Sequence, residues 1–315
     1  MAKYLVKRLG TALLVLWLVG TMTYFTLHVT PGDMANAIVI AVWGEESVTE
    51  ETLSRVRSKF NLERPVYVQY ADWMINVFQG RLGTSYKYNK PVSYMLSIRL
   101  PNTLLLGFTA FLISALISIP GGVASALNHN RFFDHASRII TLFLSSFPSF
   151  WVALIMIIVF SIHLRILPVS GMNGIKSIVL PALTLSIGMT ATTTRMMRSS
   201  MLDVLGQDYI LTAQAKGLKK AVIIRRHAFR NAFPPIITVM GLQIGHILGG
   251  AVVIENIFSW PGVGELFISS LNAKDVPMIE GCVIVIAFGY AIINVIVDII
   301  YVFVDPRIKF SGGGK

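Results

Sequence analysis

Apolar residues in this chain are gathered into long runs separated by polar stretches. Leu9–Val29, Asn102–Leu127, Ser137–Leu164, Ser177–Ser200, Ala232–Phe258 and Ile279–Val304 are rich in Leu, Ile, Val, Ala and Phe. A helix needs about 20 such residues to cross the hydrocarbon core of a bilayer. The pattern predicts an all-α polytopic membrane protein with six transmembrane helices. The first run follows Lys3, Lys7 and Arg8. It is longer than the about 7–15 apolar residues at the centre of a signal peptide, so it is expected to stay as a helix. Cleavage near Ala35-Asn36-Ala37 is the competing reading.

Proline and glycine recur inside the runs, at Pro120-Gly121-Gly122, Pro148, Pro181 and Pro234-Pro235. Membrane helices tolerate them because neighbouring helices re-satisfy the freed backbone groups. Gly241, Gly245 and Gly249 fall four residues apart and share one helix face. That face suits close helix packing, the wall of a pathway, or both.

Thr30–Pro101 breaks the apolar pattern. It is polar and carries both signs of charge. Thr49-Glu50-Glu51 predicts a helix start and Phe60-Asn61-Leu62 its end before Pro65. A second helix is expected over Val66–Phe78, with Gly80 near its end. The domain reading is therefore residues 1–29 for the N-terminus and first span, 30–101 for an extracytoplasmic insertion, and 102–310 for five further spans. The last part includes a polar loop, 201–231. Residues 311–315 form a linker-like or tag-like tail.

Composition supports a bilayer as solvent. Only 14% of the 315 residues are charged, against about a quarter in soluble domains. One cysteine, Cys282, excludes an intrachain disulfide. The net charge of +11 raises nucleic acid as a partner, but in a membrane protein it reflects Lys and Arg in cytoplasmic loops. Those residues cluster before the first span, at Arg131 and Arg138, between Arg195 and Arg230, and at Arg307 and Lys309. The two short opposite loops hold only Arg165, Lys176 and Lys274. Both termini are expected to be cytoplasmic, and no nucleic-acid partner is expected.

Residues 201–231 are the densest polar signal between spans. Two short helices are predicted there, Gln207–Lys216 and Lys219–Asn231. Asp208 lies in the first turn, where a negative charge suits the dipole, and Gly217 suits a helix C-terminus. Ala213 and Ala215 are small enough for close docking. The second helix alternates apolar residues with Arg225, Arg226 and Arg230, which also suits an amphipathic helix on anionic headgroups.

Polar residues at membrane depth are candidates for function. Gln243 and His246 share a helix face, where they line a path or bond a neighbouring helix. Glu255 is expected near the outer end of its span, within reach of a gate loop or a soluble partner. Asn294 and Asp298 lie in the sixth run, with Asp298 placed to pair with an Arg of another span. Trp260-Pro261-Gly262 follows the fifth run, where the Pro-Gly pair suits a tight turn and Trp260 suits the lipid interface. His28, His163 and His246 make no ligand set, and no metal site is expected. No Gly-x-x-x-x-Gly-Lys-Ser/Thr phosphate loop, His-Glu-x-x-His or Cys-x-x-Cys pattern occurs. The chain is thus not expected to be an enzyme or to bind a cofactor.

The segment Asp208–Leu218 resembles the cytoplasmic coupling loop of permease subunits of binding-protein-dependent ABC importers. Three further segments resemble the dipeptide, oligopeptide and nickel permease branch: His227-Ala228-Phe229-Arg230-Asn231-Ala232, Ile254–Gly264 and Asp305-Pro306-Arg307-Ile308. Leu211-Thr212 stands where importer permeases at large favour Glu-Ala, so a contact made by that Glu is not carried over.

The resemblance implies a type I importer permease in a bacterial inner membrane. It implies a second, homologous permease as partner, two cytoplasmic ATPases that use ATP and Mg, and an extracytoplasmic solute-binding protein. Asp208, Tyr209, Thr212, Ala213, Ala215, Lys216, Gly217 and Leu218 would form the ATPase-coupling surface. Trp260, Pro261 and Gly262 would belong to the outer gate region, while Gln243, His246 and Glu255 stand as path or gate candidates on their own chemistry. The cargo would be a short peptide or nickel, as a chelate. An ion-coupled secondary transporter is the alternative; it would need inverted repeats and midplane charges.

Overall fold

A computed structural model describes residues 2–29, 33–60 and 62–304. Met1 and the Asp305–Lys315 end, with its Asp-Pro-Arg-Ile motif, lie outside the described residues, as do the side chains of His246 and Asp298. The described residues hold no strand, only an isolated bridge between Thr84 and Pro91. The chain divides into two compact units, residues 1–104 with 259–291, and residues 105–258 with 292–315.

The first unit begins with α1, Ala2–Val29, whose Gly10–His28 stretch is long and apolar enough to cross a membrane. The insertion folds into three helices. α2, Met34–Trp43, was not expected; Asp33 caps it by accepting the Ala35 N–H at 2.9 Å. α3 is Glu50–Lys59, with a capping box between Thr49 and Thr52. Its acidic first turn and basic last turn complement the dipole. Ala35, Ile38 and Val39 of α2 bury against Leu53 and Val56 of α3. α4, Val66–Phe78, has the expected bounds.

α5 spans Val92–Leu127. It starts ten residues before the expected start of the second run at Asn102, so Pro101 lies inside a helix. Trp260 and Pro261 bond Asn102, the residue that follows Pro101. The Trp260 indole N–H donates to the Asn102 carbonyl at 3.0 Å, and the Asn102 amide donates to the Pro261 carbonyl at 2.8 Å.

The second unit holds most of α5 and the helices up to Phe258. α6, Phe132–Ser146, and α7, Ser149–Met156, meet at an angle of 102°. This corrects the expectation of a single run over Ser137–Leu164. Pro148 lacks the N–H that would continue the ladder and restricts Phe147 before it. α7 continues as a π-helical turn, Ile157–His163. α8, Val179–Leu205, is the unit's most buried helix; Leu180, Ala191, Met197 and Met201 are 0–1% exposed.

After α8 come α9, Asp208–Ala215, and α10, Lys220–Val222. A π-helical stretch, Ile223–Ala228, and α11, Phe229–Ala232, then lead to α12, Pro234–Ile257. In the first unit, α13 is Val263–Asn272 and α14 begins at Val276, running to Val304. Among the described residues four helices are long and apolar enough to cross a membrane, or up to six if each bent pair counts once.

Candidate functional site

α9 is built by local signals. Gly206 closes α8, and Gln207 is extended before the first turn. At the other end Gly217 has φ +73°, a conformation that favours a residue without Cβ. Its N–H donates to the Gln214 carbonyl at 2.9 Å, and that of Leu218 donates to Ala213 at 3.3 Å. These two bonds make a Schellman ending, which satisfies carbonyls the helix would leave open.

The faces of α9 differ. Ile210 is 0% and Ala213 7% exposed, both inside a cluster with Met197, Met201, Ile223, Ala228, Ile236 and Met240. Tyr209, Leu211 and Leu218 are 42%, 57% and 41% exposed. Asp208, Thr212, Ala215 and Lys216 are exposed as well. Ala213 is therefore a core residue, which corrects the expectation that it faces outward. The Asn231 amide donates to the Tyr209 hydroxyl at 3.0 Å, tying α9 to the following helical segment.

A buried ion pair lies in the same unit. Asp134 is 0% exposed and accepts from Arg198 Nε at 2.5 Å and Nη2 at 2.7 Å. Ser125 Oγ and the Asn130 N–H donate to it at 2.6 and 3.0 Å, and His129 Nδ1 lies 3.5 Å away. This pins the end of α5 and the start of α6 to α8. Sequence reasoning missed it; the signal was an acid in the first turn of a helix whose later turns are largely apolar.

The path and gate candidates separate. Gln243 accepts from Thr193 Oγ1 at 3.0 Å, a bond between α12 and α8. A Cβ added at Gly241 would meet Val297 at 2.6 Å, so α12 and α14 pack closely there. Both observations favour packing over a path wall at these positions. His246 belongs to α12; its side chain is outside the described ones. Glu255 is 0% exposed, so it does not offer a surface to a soluble partner.

Trp260 is 1% exposed, which corrects its placement at a lipid interface: its N–H is consumed by α5. Pro261 and Gly262 form a tight turn, with the Gly262 N–H to the Trp260 carbonyl at 2.7 Å. Val263 N–H donates to Thr103 Oγ1 at 2.8 Å, and Arg99 pairs with Glu265 at 3.0 Å. The segment is a clamp on α5.

A second clamp was not foreseen. Asp275, fully buried, accepts from Ser85 Oγ at 2.5 Å and from the N–H groups of Tyr86 and Lys87 at 3.1 and 3.2 Å. It fixes the last turn of the insertion to the head of α14. Burial pushes the Tyr86 hydroxyl above the usual tyrosine range, with Glu280 and Asp275 adding to the shift. His28 and His163 each bond a backbone carbonyl of their own helical stretch, at 2.8 and 2.9 Å. Among the described residues no group of three or more His, Cys, Asp or Glu comes together.

The family model described as "Binding-protein-dependent transport system inner membrane component" matches residues 118–310, and its N-terminal counterpart matches residues 1–107. A permease named for peptide transport in Brucella abortus strain 2308 is 36% identical over 99% of this chain and 100% of its own length. DdpB of Escherichia coli K12, named for D,D-dipeptide transport, is 36% identical over 94% of each chain. The glutathione transport permease GsiC of Salmonella choleraesuis is 34% identical over 99% of this chain and all of its own. A chain of the inward-facing MetNI methionine ABC transporter superposes with a TM-score of 0.57, over 67% of this chain and 97% of its own. At 16% identity that likeness shows the fold alone.

Proposed function

Because the chain belongs to the binding-protein-dependent transport system inner membrane component family, we propose that α9 is where this ABC-importer permease receives force from a motor. The chain is a multi-pass inner-membrane protein and a permease subunit. It pairs with a second, homologous permease, and a solute-binding protein delivers cargo from outside. Two cytoplasmic ATPases supply the ATP and Mg chemistry, which this chain does not carry.

One observation carries the docking assignment: α9 buries Ile210 and Ala213 in its own unit yet leaves Tyr209 and Leu211, with Leu218 just past its end, in the open. A short helix with an apolar outer face fits a groove on a soluble partner. Lys216 and Asp208 at its ends supply charge complementarity, which sets register more than affinity. The inner face joins the cluster of Met197, Met201, Ile236 and Met240 by way of the Ile223–Ala228 stretch, so displacement of α9 is passed through that stretch toward two long helices. Both termini lie on the motor's side.

The cargo is a short peptide. The relatives named for peptide, D,D-dipeptide and glutathione transport support this over nickel. Cargo-loaded binding protein shifts the two-state equilibrium only through its differential affinity for the states.

Leu211→Asp tests the coupling without touching the core. The variant should insert and fold normally but lose ATPase copurification and at least about tenfold of uptake, as removal of an interface hot spot does. Normal copurification and uptake would refute the assignment. Transport by the purified chain alone would favour a secondary transporter instead.

A further inference from the structure

A cavity of about 430 Å³ lies in the first unit, between the end of α1, the α4 region and the head of α14. That volume is within the range of small-molecule sites, about 300–1,000 Å³. Its floor carries Glu280, only 5% exposed. The Trp73 side chain hydrogen-bonds this carboxyl. Glu280 Oε1 is buried with no hydrogen-bond partner, and among the described residues Glu280 has no ion pair.

The walls are aromatic. Tyr24, 3% exposed, has its ring 5.1 Å from that of Trp73, and Tyr86 lines the same space. His28 stacks on Tyr24 at 3.9 Å, with Nδ1 turned to a backbone carbonyl. The other charges are at the rim. Arg64 and Asp72 pair with each other at 3.2 Å, each more than half exposed. Arg81 is exposed and has no ion pair among the described residues.

A carboxyl that lines a cavity and keeps one oxygen without a partner calls for a donor. Aromatic faces around it favour a cation over a neutral donor. One carboxylate is too few ligands for a hard metal ion, which takes six or more oxygens. An ammonium brings three donors and one charge, and it fits both features. A cation at Glu280 leaves Arg81 to meet a negative group on the same ligand.

We propose that this cavity binds a zwitterion through a primary ammonium group, seated on Glu280 among the Tyr24, Trp73 and Tyr86 rings, with the anionic end toward Arg81. Two sources share that chemistry: the amino end of a short peptide and an ethanolamine phosphate headgroup. The first source rests on the peptide reading of the cargo; the site itself does not.

The test uses the full chain with its partner subunits, without binding protein, in nanodiscs of phosphatidylcholine and phosphatidylglycerol. Saturation-transfer NMR measures the binding of trialanine, N-acetyl-trialanine and ethanolamine. Trialanine and ethanolamine should saturate, and acetylation should weaken trialanine at least about tenfold, the loss expected when one member of a buried charge pair goes. Glu280→Gln should weaken both amines alike while keeping the thermal stability of the complex. Trp73→Leu, which removes a ring and leaves the carboxylate, should weaken them less.

Exchanging phosphatidylcholine for phosphatidylethanolamine should compete with both amines if the occupant is a lipid headgroup, and leave both unchanged if it is a peptide; either result supports the site. Equal binding of free and acetylated trialanine, or unchanged binding in Glu280→Gln, overturns it. Glu280-dependent ethanolamine binding in a system that imports no peptide would sink the cargo assignment alone. Peptide import with amine binding indifferent to Glu280 would sink the site alone.

Discussion

Asp134 and Glu280 are acids buried to nearly the same depth, one in each unit, and they are treated differently. Asp134 has a bidentate arginine, a serine hydroxyl and a backbone N–H around it. Glu280 has the Trp73 side chain on one side and an open cavity on the other. A fully satisfied buried charge works as a pin, because each partner fixes one element. A half-satisfied one adds little to the fold, and a structure that keeps it retains the unmet demand for a ligand. The contrast separates architecture from function where both residues are simply acids in apolar helices.

Breaking the pin should have the largest effect. Asp134→Ala leaves the Arg198 guanidinium, 18% exposed, without its counter-charge; loss of one partner costs about 3–5 kcal/mol in fully buried pairs and less here, where solvent reaches the arginine. Thermal unfolding of the solubilised chain should show that loss. Replacing both, as Asp134→Leu with Arg198→Met, should recover most of it, because an apolar pair of similar volume avoids the desolvation penalty. A double variant as unstable as the single one would mean that Ser125 and Asn130, rather than charge pairing, hold this corner.

Glu280→Gln sharpens the other side. It keeps the shape and the bond with Trp73 while removing the charge. Stability should change by no more than about 1 kcal/mol, the scale of one hydrogen bond. A loss as large as that of Asp134→Ala would erase the distinction and make Glu280 a second pin.

Much of this was legible where the cause is local. Thr49, Val66, Gly217 and the Pro-Gly turn at 261–262 act within a few residues of themselves, and each stands where the sequence puts it. The apolar runs were legible because one solvent, the bilayer, imposes one length. What failed was set at long range. Trp260 reads as an interface anchor until Asn102, 158 residues earlier, takes its N–H. Pro148 is a visible break, but the 102° bend depends on packing. The sidedness of α9 was hidden because eight residues of mixed small and apolar character carry too little periodicity to orient a helix. Glu280 was overlooked altogether, although an acid within the sixth run is the kind of intramembrane charge that marks function.

The smallest expected effect concerns a third acid, outside both buried settings. Asp33 accepts the Ala35 N–H at the head of α2 and pairs with Arg57 of α3. Burial pushes its carboxyl up, but the Arg57 bond and the backbone N–H groups outweigh this and hold it below its usual value. A depressed folded pKa gives stability that is present above the unfolded value and lost as pH falls through the folded one. The window therefore lies below about pH 4, where aspartate titrates in the unfolded chain. Both partners are more than a third exposed, so solvent screening limits the pair to about 0.2–1 kcal/mol. The melting temperature of Asp33→Asn should fall slightly below that of the parent at pH 6, and the two should converge by pH 3. A gap that widens on acidification would reverse the sign and show that Asp33 is not a weak, wet version of Asp134.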